Sequence, residues 1–375
     1  MHLYVHIPFC HRICPYCAFY KHTPGATDMK RFIDSLLIEV ESKRHFLQSD
    51  ISGEKRTLYM GGGTPSMLSN THLSRLIRGI GEIINIPSLD EFSFEANPAT
   101  FTTGKASVWK SLGITRVSLG AQSWEPDILS RLGRTHTPSD IEESIRILRG
   151  EGIPEINIDL MFSIPGQTIE QWKHTLNKAI QAKPDHLSAY NLTYEEDTPF
   201  FQHLLEGNAK IDEEQDAELF ETTHAMLQSA GYNHYETSNY ALNGRISHHN
   251  MGYWQGDDYV GIGPGAVGTI LNERTENTPD TTLYIESTLK NGLPESSLEI
   301  LSPEDILFER VALLLRTKMG IPPDWIPMQA ESVLHALFEE KMARRVQISG
   351  EERIILTGKG SLLVDEIVPS LFARN

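Results

Sequence analysis

Six short apolar, β-branched runs punctuate the first half of the chain: LYVHI from Leu3, TLYM from Thr57, EFSFE from Glu91, RVSLG from Arg116, INIDLMF from Ile156 and HLSAYNL from His186. Runs of this length, bounded by turn residues, predict strands. Between them, apolar residues recur every three to four positions, as in MKRFIDSLLIEVESKRHFL from Met29, HLSRLIRGIGEII from His72, SDIEESIRILRGEG from Ser139 and TIEQWKHTLNKAIQA from Thr168. That period predicts amphipathic helices. Strand and helix alternating six times imply a parallel sheet built through right-handed crossovers. Six units are fewer than the eight that close a barrel, so an open, partial (β/α)6 barrel of the α/β class is expected. In such folds chemistry gathers at the carboxyl ends of the strands.

The pattern changes from about Pro279. Ser302-Pro303-Glu304-Asp305 is a helix start, with proline in the first turn and acids at the positive end of the helix dipole. ILFERVALLLRTK keeps a helical period to near Gly320, SVLHALFEEKMARRV reads as a second helix, ERIILT as a strand, and GKGSLLVDEIVPSLF follows. The expected organisation is a barrel over 1–235, a contacting extension over 236–300, and a winged-helix-like α+β module over 301–375. A winged helix invites a DNA reading. Here the basic Lys341, Arg344 and Arg345 are surrounded by Glu331, Glu339, Glu340, Glu351 and Glu352, so the module is assigned to capping the site or contacting a protein.

Composition narrows the class. The 375 residues are 39% hydrophobic and 22% charged, a balance suited to a globular protein with a sizeable core. The net charge of −17 argues against broad nucleic-acid binding, which neutralises phosphates with Lys and Arg. No run of about 20 apolar residues predicts a membrane span. The chain opens on a strand without the charged and apolar regions of a signal peptide, and with its thiols reduced the cytoplasm is expected.

All three cysteines, Cys10, Cys14 and Cys17, fall within eight positions of YVHIPFCHRICPYCAF, beginning at Tyr4. A disulfide framework wants an even number at wider separations. Three soft thiolates from one loop suit either zinc, with His6 or His11 as a further ligand, or an iron–sulfur cluster that keeps one iron open. After the second strand, Gly61-Gly62-Gly63-Thr64-Pro65-Ser66 reads as a tight turn or as backbone brought close to a ligand; no Gly-Lys-Ser/Thr follows to make it a phosphate loop. Later strands end in polar groups: Glu95 in EANP, Gln122 in GAQS with Arg134 following, and Asp159 in NIDLMF. Farther on, His249-Asn250-Met251-Gly252-Tyr253-Trp254 offers an imidazole beside two flat aromatic faces. It is either a packed aromatic corner or a haem contact.

The C-x3-C-x2-C spacing, with Tyr16 just before the last cysteine and a strand ahead of it, resembles the signature of the radical S-adenosylmethionine (SAM) superfamily. The stretches YVHIPFC, GGGTPS, EANP and NIDLMF, in this order, resemble the porphyrin-pathway branch that holds oxygen-independent coproporphyrinogen III oxidase and the haem chaperones. The likeness covers at least 1–268. It implies a [4Fe–4S] cluster on Cys10, Cys14 and Cys17, with SAM chelating the open iron. It implies SAM contacts from Tyr4, Tyr16, Gly61, Gly62, Thr64, Glu95, Gln122, Arg134 and Asp159. The oxidase carries a fourth cysteine two residues after the third, where this chain has Phe19, the form typical of the chaperones. It also has an extension ahead of its first strand that is not matched here. His249, Asn250, Tyr253 and Trp254 match the haem-binding H-N-x-x-Y-W motif of the chaperone family, with His248 as a neighbouring imidazole. The resemblance therefore implies a protein that binds a cluster, SAM and haem and passes haem to acceptor haem proteins, respiratory and membrane-associated ones among them. It would act as a monomer or homodimer. The oxidase-type alternative is a radical SAM enzyme that decarboxylates a tetrapyrrole.

Overall fold

The computed structural model describes residues 1–49, 55–207 and 211–373. All six predicted strands form: β1 (His2–Ile7), β2 (Thr57–Gly62), β3 (Glu91–Ala96), β4 (Arg116–Gln122), β5 (Glu155–Phe162) and β6 (His186–Asn191). They pair in parallel in chain order, with helices between them, as the partial (β/α)6 barrel requires. Helix boundaries follow local chemistry. Thr137 and Asp140, and Thr168 and Gln171, build reciprocal capping boxes at the starts of Pro138–Gly150 and Ile169–Gln181.

The strands have two unlike faces. Leu3, Val5 and Ile7, Leu58 and Met60, Phe92 and Phe94, Val117 and Leu119, and Ile156, Ile158 and Leu160 share one core with the helices. The alternate positions are polar and lie beside one another across the register: His2 by Thr57, Thr57 by Glu91, Glu95 by Ser118, Ser118 by Asn157 and Asp159 by Ser188. Because side chains alternate along a strand, this register gives the sheet a polar concave face and an apolar convex one. Both cavities described below open on the polar face.

Further strands extend the sheet at both sides. β7 (Asn233–Glu236) pairs antiparallel with β8 (Asn239–Ala241), which pairs antiparallel with β6. β9 (Tyr259–Ile262) pairs in parallel with β1, and β10 (Val267–Ile270), β11 (Glu273–Asn277) and β12 (Ser296–Ile300) continue as an antiparallel meander, completing a sheet of 12 strands among the described residues. Glu39, fully buried on the first helix, ties this extension down. Its carboxylate accepts from Lys43 Nζ at 2.7 Å, Asn277 Nδ2 at 2.8 Å, the Gly263 amide at 2.9 Å and Tyr284 OH at 2.6 Å.

The last segment has its own core of Val311, Leu314, Ile321, Ile354, Leu356, Val364, Ile367 and Leu371. It holds helices Pro303–Leu314, Glu331–Glu339, Gly358–Leu362 and Val364–Phe372 around a hairpin, β13 (Ala343–Ile348) and β14 (Glu351–Leu356). One expectation fails here. SVLHALFEEKMARRV is not one helix, because the chain turns through Lys341 at φ 59° and the remainder becomes β13. Among the described residues, no helix is long and apolar enough to cross a membrane.

Candidate functional site

The cysteines lie on the loop that leaves β1. Its base is closed by backbone bonds from Cys10 N to His22 O (3.0 Å) and His22 N to Pro8 O (2.8 Å), while Phe9 anchors it edge-on to Phe32 in the core. The loop rests against the triple glycine. The Gly63 amide bonds Ile7 O at 2.8 Å, and a Cβ on Gly63 would stand 2.7 Å from the Pro8 carbonyl carbon, so only glycine allows this approach. Gly62 adopts φ 109°, and a Cβ there would stand 2.5 Å from the His6 ring. Gly61 backs directly onto the Glu95 carboxyl group.

Around the thiols, side chains from two strand ends and from the turn after the helix Pro126–Arg131 form a continuous hydrogen-bonded chain. Thr64 Oγ1 donates to Cys10 Sγ (3.6 Å) and accepts from Asn97 Nδ2 (3.0 Å). Asn97 Oδ1 accepts from Arg134 Nη2 (2.5 Å), which also reaches Gly120 O, and Arg134 Nη1 points at Cys14 Sγ (3.8 Å). Asn97 is a further link in the site, beyond the residues expected there. Its position beside a strand-end carboxylate in EANP was the available signal.

These groups line a cavity of about 460 Å³. Cys10, Cys14, Cys17, Tyr16, Gly62, Thr64, Glu95, Gln122, Arg134 and Asp159 all face it. Glu95 accepts from Tyr59 OH (2.7 Å) and the Gly62 amide (3.1 Å); burial, reinforced by the nearby Asp159 charge, pushes its carboxyl up to about 7. Asp159 accepts from Ser118 Oγ and Asn157 Nδ2, each at 2.7 Å, and burial raises it as well. Gln122 sits where the β4–β5 register slips, at φ 67°, a strained geometry that proteins retain mainly at functional positions. Burial raises the Cys10 and Cys17 thiols.

This donor set fits the group that the sequence implies. Three thiols from one loop share a cavity, with the Arg134 guanidinium and a hydroxyl directed at two of them. Neither histidine proposed as a further zinc ligand joins them: His11 is exposed, and both ring nitrogens of His6 are engaged, Nε2 donating to Tyr20 O (2.8 Å) and Nδ1 accepting from Tyr4 OH (2.9 Å). A set of three thiolates with cationic and hydroxyl donors suits an iron–sulfur cluster with one open iron.

A larger cavity of about 770 Å³ adjoins the first, and Phe19, Tyr59, Gly62, Glu95 and Tyr190 line both. Tyr4, expected among the SAM contacts, faces this larger space, as do His249, Asn250 and Tyr253. The last three ride on the helix His248–Gln255, which Ser247 caps and whose first amides meet the buried Glu91 carboxylate, His248 N at 2.7 Å. Trp254, half-buried on the same helix, is not part of the lining. His249 is 1% exposed and both its ring nitrogens are engaged: Nδ1 with Thr57 Oγ1 (2.7 Å) and Nε2 with Tyr253 OH (3.0 Å). Its ring stacks on Tyr59 at 4.9 Å, and burial lowers its pKa well below that of a free imidazole, which favours the neutral form. Thr57 Oγ1 also meets His2 Nδ1 (2.8 Å), and His2 Nε2 reaches Asp257 Oδ2 (3.3 Å). His249 is thus available to a ligand only by giving up one of its two ring-nitrogen bonds.

The family model for the radical SAM superfamily matches residues 4–179. The chain is 33% identical to the heme chaperone HemW of Bacillus subtilis over 97% of each protein. It is 34% identical to HemW of Lactococcus lactis over 95% of this chain and 93% of that one. The match to HemW of Escherichia coli is 36% identical over 72% of this chain and 70% of that protein. The solved structure of E. coli coproporphyrinogen III oxidase, a radical SAM enzyme, superimposes with a TM-score of 0.82 over 99% of this chain and 89% of that one; at 22% identity this establishes a shared fold.

Proposed function

The chain belongs to the HemW family of radical SAM proteins, and from that premise we propose that it is a haem chaperone, holding haem in the larger cavity and passing it to acceptor haem proteins. The observation that carries this reading is the seating of the His249–Tyr253 helix in a cavity that shares a wall with the thiol chamber. A space of about 770 Å³ lies within the range of cofactor sites. Tyr4, Tyr59 and Tyr253 offer it aromatic faces, and the His249–Tyr253 pair offers an imidazole and a phenol as candidate iron ligands.

In the smaller chamber Cys10, Cys14 and Cys17 would hold the cluster, whose open iron supplies a chelation point and an electron. Glu95 and Asp159 would present carboxyl oxygens to the polar groups of SAM. Arg134 donates toward the thiolate side, and Gly62, Thr64, Gln122 and Tyr16 complete the walls. Gly61 acts from behind, by leaving Glu95 room. The cytoplasm is the expected compartment, and respiratory, membrane-associated haem proteins are the expected acceptors.

The test uses anaerobically reconstituted protein. Haemin should produce a Soret band with the cluster absorption retained, and the bound haem should move to an apo-acceptor on mixing. Supplied with SAM, reductant and coproporphyrinogen, the same protein should release no carbon dioxide. Decarboxylation with turnover and no haem-dependent spectrum would assign it to the oxidase class instead.

A further inference from the structure

We propose that the mouth of the larger cavity is a carboxylate-binding subsite formed by Arg310 and Arg274, which selects a flat apolar ligand by its two acidic side chains. The inference rests on the haem reading above and goes beyond the histidine motif, none of whose residues is cationic.

The charged groups lining this cavity are Glu95, Asp257, Asp258, Arg274, Glu309 and Arg310. Each acid is already engaged. Glu95 accepts from Tyr59 and Gly62, Asp257 contacts His2, and Asp258 accepts from the Leu271 amide at 2.8 Å. Glu309 forms a two-pronged pair with Arg274, at 2.9 and 2.6 Å. Among these lining groups Arg310 alone has no hydrogen bond or ion pair to a described residue, and it is exposed.

Its position is nonetheless built. Gly256 ends the His248–Gln255 helix in the left-handed conformation, and a Cβ there would lie 3.2 Å from Arg310 Cγ and 3.4 Å from its Nε. The arginine stem therefore crosses the end of the motif helix, over a gap that only a glycine leaves. This places a cation beside the last helical carbonyls, where it is favoured, with its guanidinium at the cavity.

Arg274 projects from β11 on the same wall. Its fork is occupied by the Glu309 carboxylate in the geometry that a ligand carboxylate would reproduce, with Glu299 Oε2 a second, longer ion-pair partner at 3.5 Å. Apolar residues complete the entrance: Leu271 is 80% exposed and Phe308 37%, with Leu301, Ile306 and Leu313 beside them. An apolar rim with one free arginine and one exchangeable arginine matches an amphipathic dicarboxylate. One ligand carboxylate pairs with Arg310, and the other displaces Glu309 from Arg274. The second contact exchanges one ion pair for another, so Arg310 carries most of the discrimination.

The experiment compares haemin with haemin dimethyl ester, which keeps the macrocycle and iron but has no free carboxylate, by spectral titration of wild type and Arg310→Gln. Wild type should bind haemin roughly tenfold or more tightly over the diester, a ratio expected for a charge-assisted carboxylate contact. Arg310→Gln should lose most of that preference while binding the diester as wild type does, which also shows the cavity is intact. Equal wild-type affinity for the two ligands, or a variant weakened equally toward both, overturns the subsite and leaves haem binding standing. Failure of wild type to bind either ligand overturns the haem reading itself.

Discussion

Replacing Gly62 by alanine tests how the triple glycine works. A ligand-approach argument expects a new side chain to intrude on bound SAM. The structure assigns the cost elsewhere, because the added Cβ would land 2.5–2.9 Å from three atoms of the His6 ring. That ring is 4% exposed and held at both nitrogens, by Tyr4 OH and Tyr20 O. Two costs add. Holding a non-glycine residue at φ 109° costs about 2 kcal/mol. Moving His6 costs two buried hydrogen bonds, about 1 kcal/mol each. Gly62→Ala should therefore destabilise by about 4 kcal/mol in wild type. In a His6→Ala background only the backbone cost remains, about 2 kcal/mol, leaving a coupling of about 2 kcal/mol. Urea unfolding of the four proteins of this cycle measures it. A Gly62→Ala penalty equal in both backgrounds would refute the steric account.

Cys10→Ser, Cys14→Ser and Cys17→Ser should each abolish the broad iron–sulfur absorption at about 400 nm; full iron and sulfide in all three variants would count against cluster ligation. Asp159→Ala should weaken SAM binding by about 1–3 kcal/mol, the cost of losing a hydrogen bond to a charged group, and an unchanged dissociation constant would remove it from the site. Glu236, 1% exposed, is raised by burial from 4.5 to about 7, only partly offset by the Ser238 amide and Asn239. The fold therefore favours its protonated form, and stability is lost as pH rises between those values. The loss reaches about 3 kcal/mol at 1.36 kcal/mol per pH unit. Glu236→Gln, which stays neutral, should gain on wild type from pH 5 to 8 in urea denaturation, whereas a pH-independent difference would show that Glu236 is ionised throughout.

The six barrel strands were legible because each is a short apolar run between turn residues, and the thiol chamber because its groups lie in compact motifs at strand ends. The extension strands were not. ERTEN of β11 is largely polar and is held as a hairpin against β10, while every residue of β12 is exposed and that edge strand is held by pairing to β11, distant in sequence. The polar concave face is written in the alternation His2-Tyr4-His6 and Glu91-Ser93-Glu95, which the overall β-branched character of these runs masks. His249 and Tyr253 stand four apart, a spacing that places both on one helical face. That spacing anticipates the bond between them, which composition alone could not distinguish from a free imidazole. The break at Lys341 had no proline or glycine to announce it.

The central claim, that haem occupies the cavity beside the thiol chamber, is tested most directly by filling that cavity. Val267 lies on β10 and faces it without contributing a thiol, a carboxylate or a motif residue. Haemin titration of cluster-loaded wild type and Val267→Trp, followed by the Soret band, should show about one haem bound to wild type and severely weakened binding to the variant. Cluster absorption and SAM affinity should be unchanged in both. Haem bound equally well by Val267→Trp would place the ligand elsewhere and contradict the account.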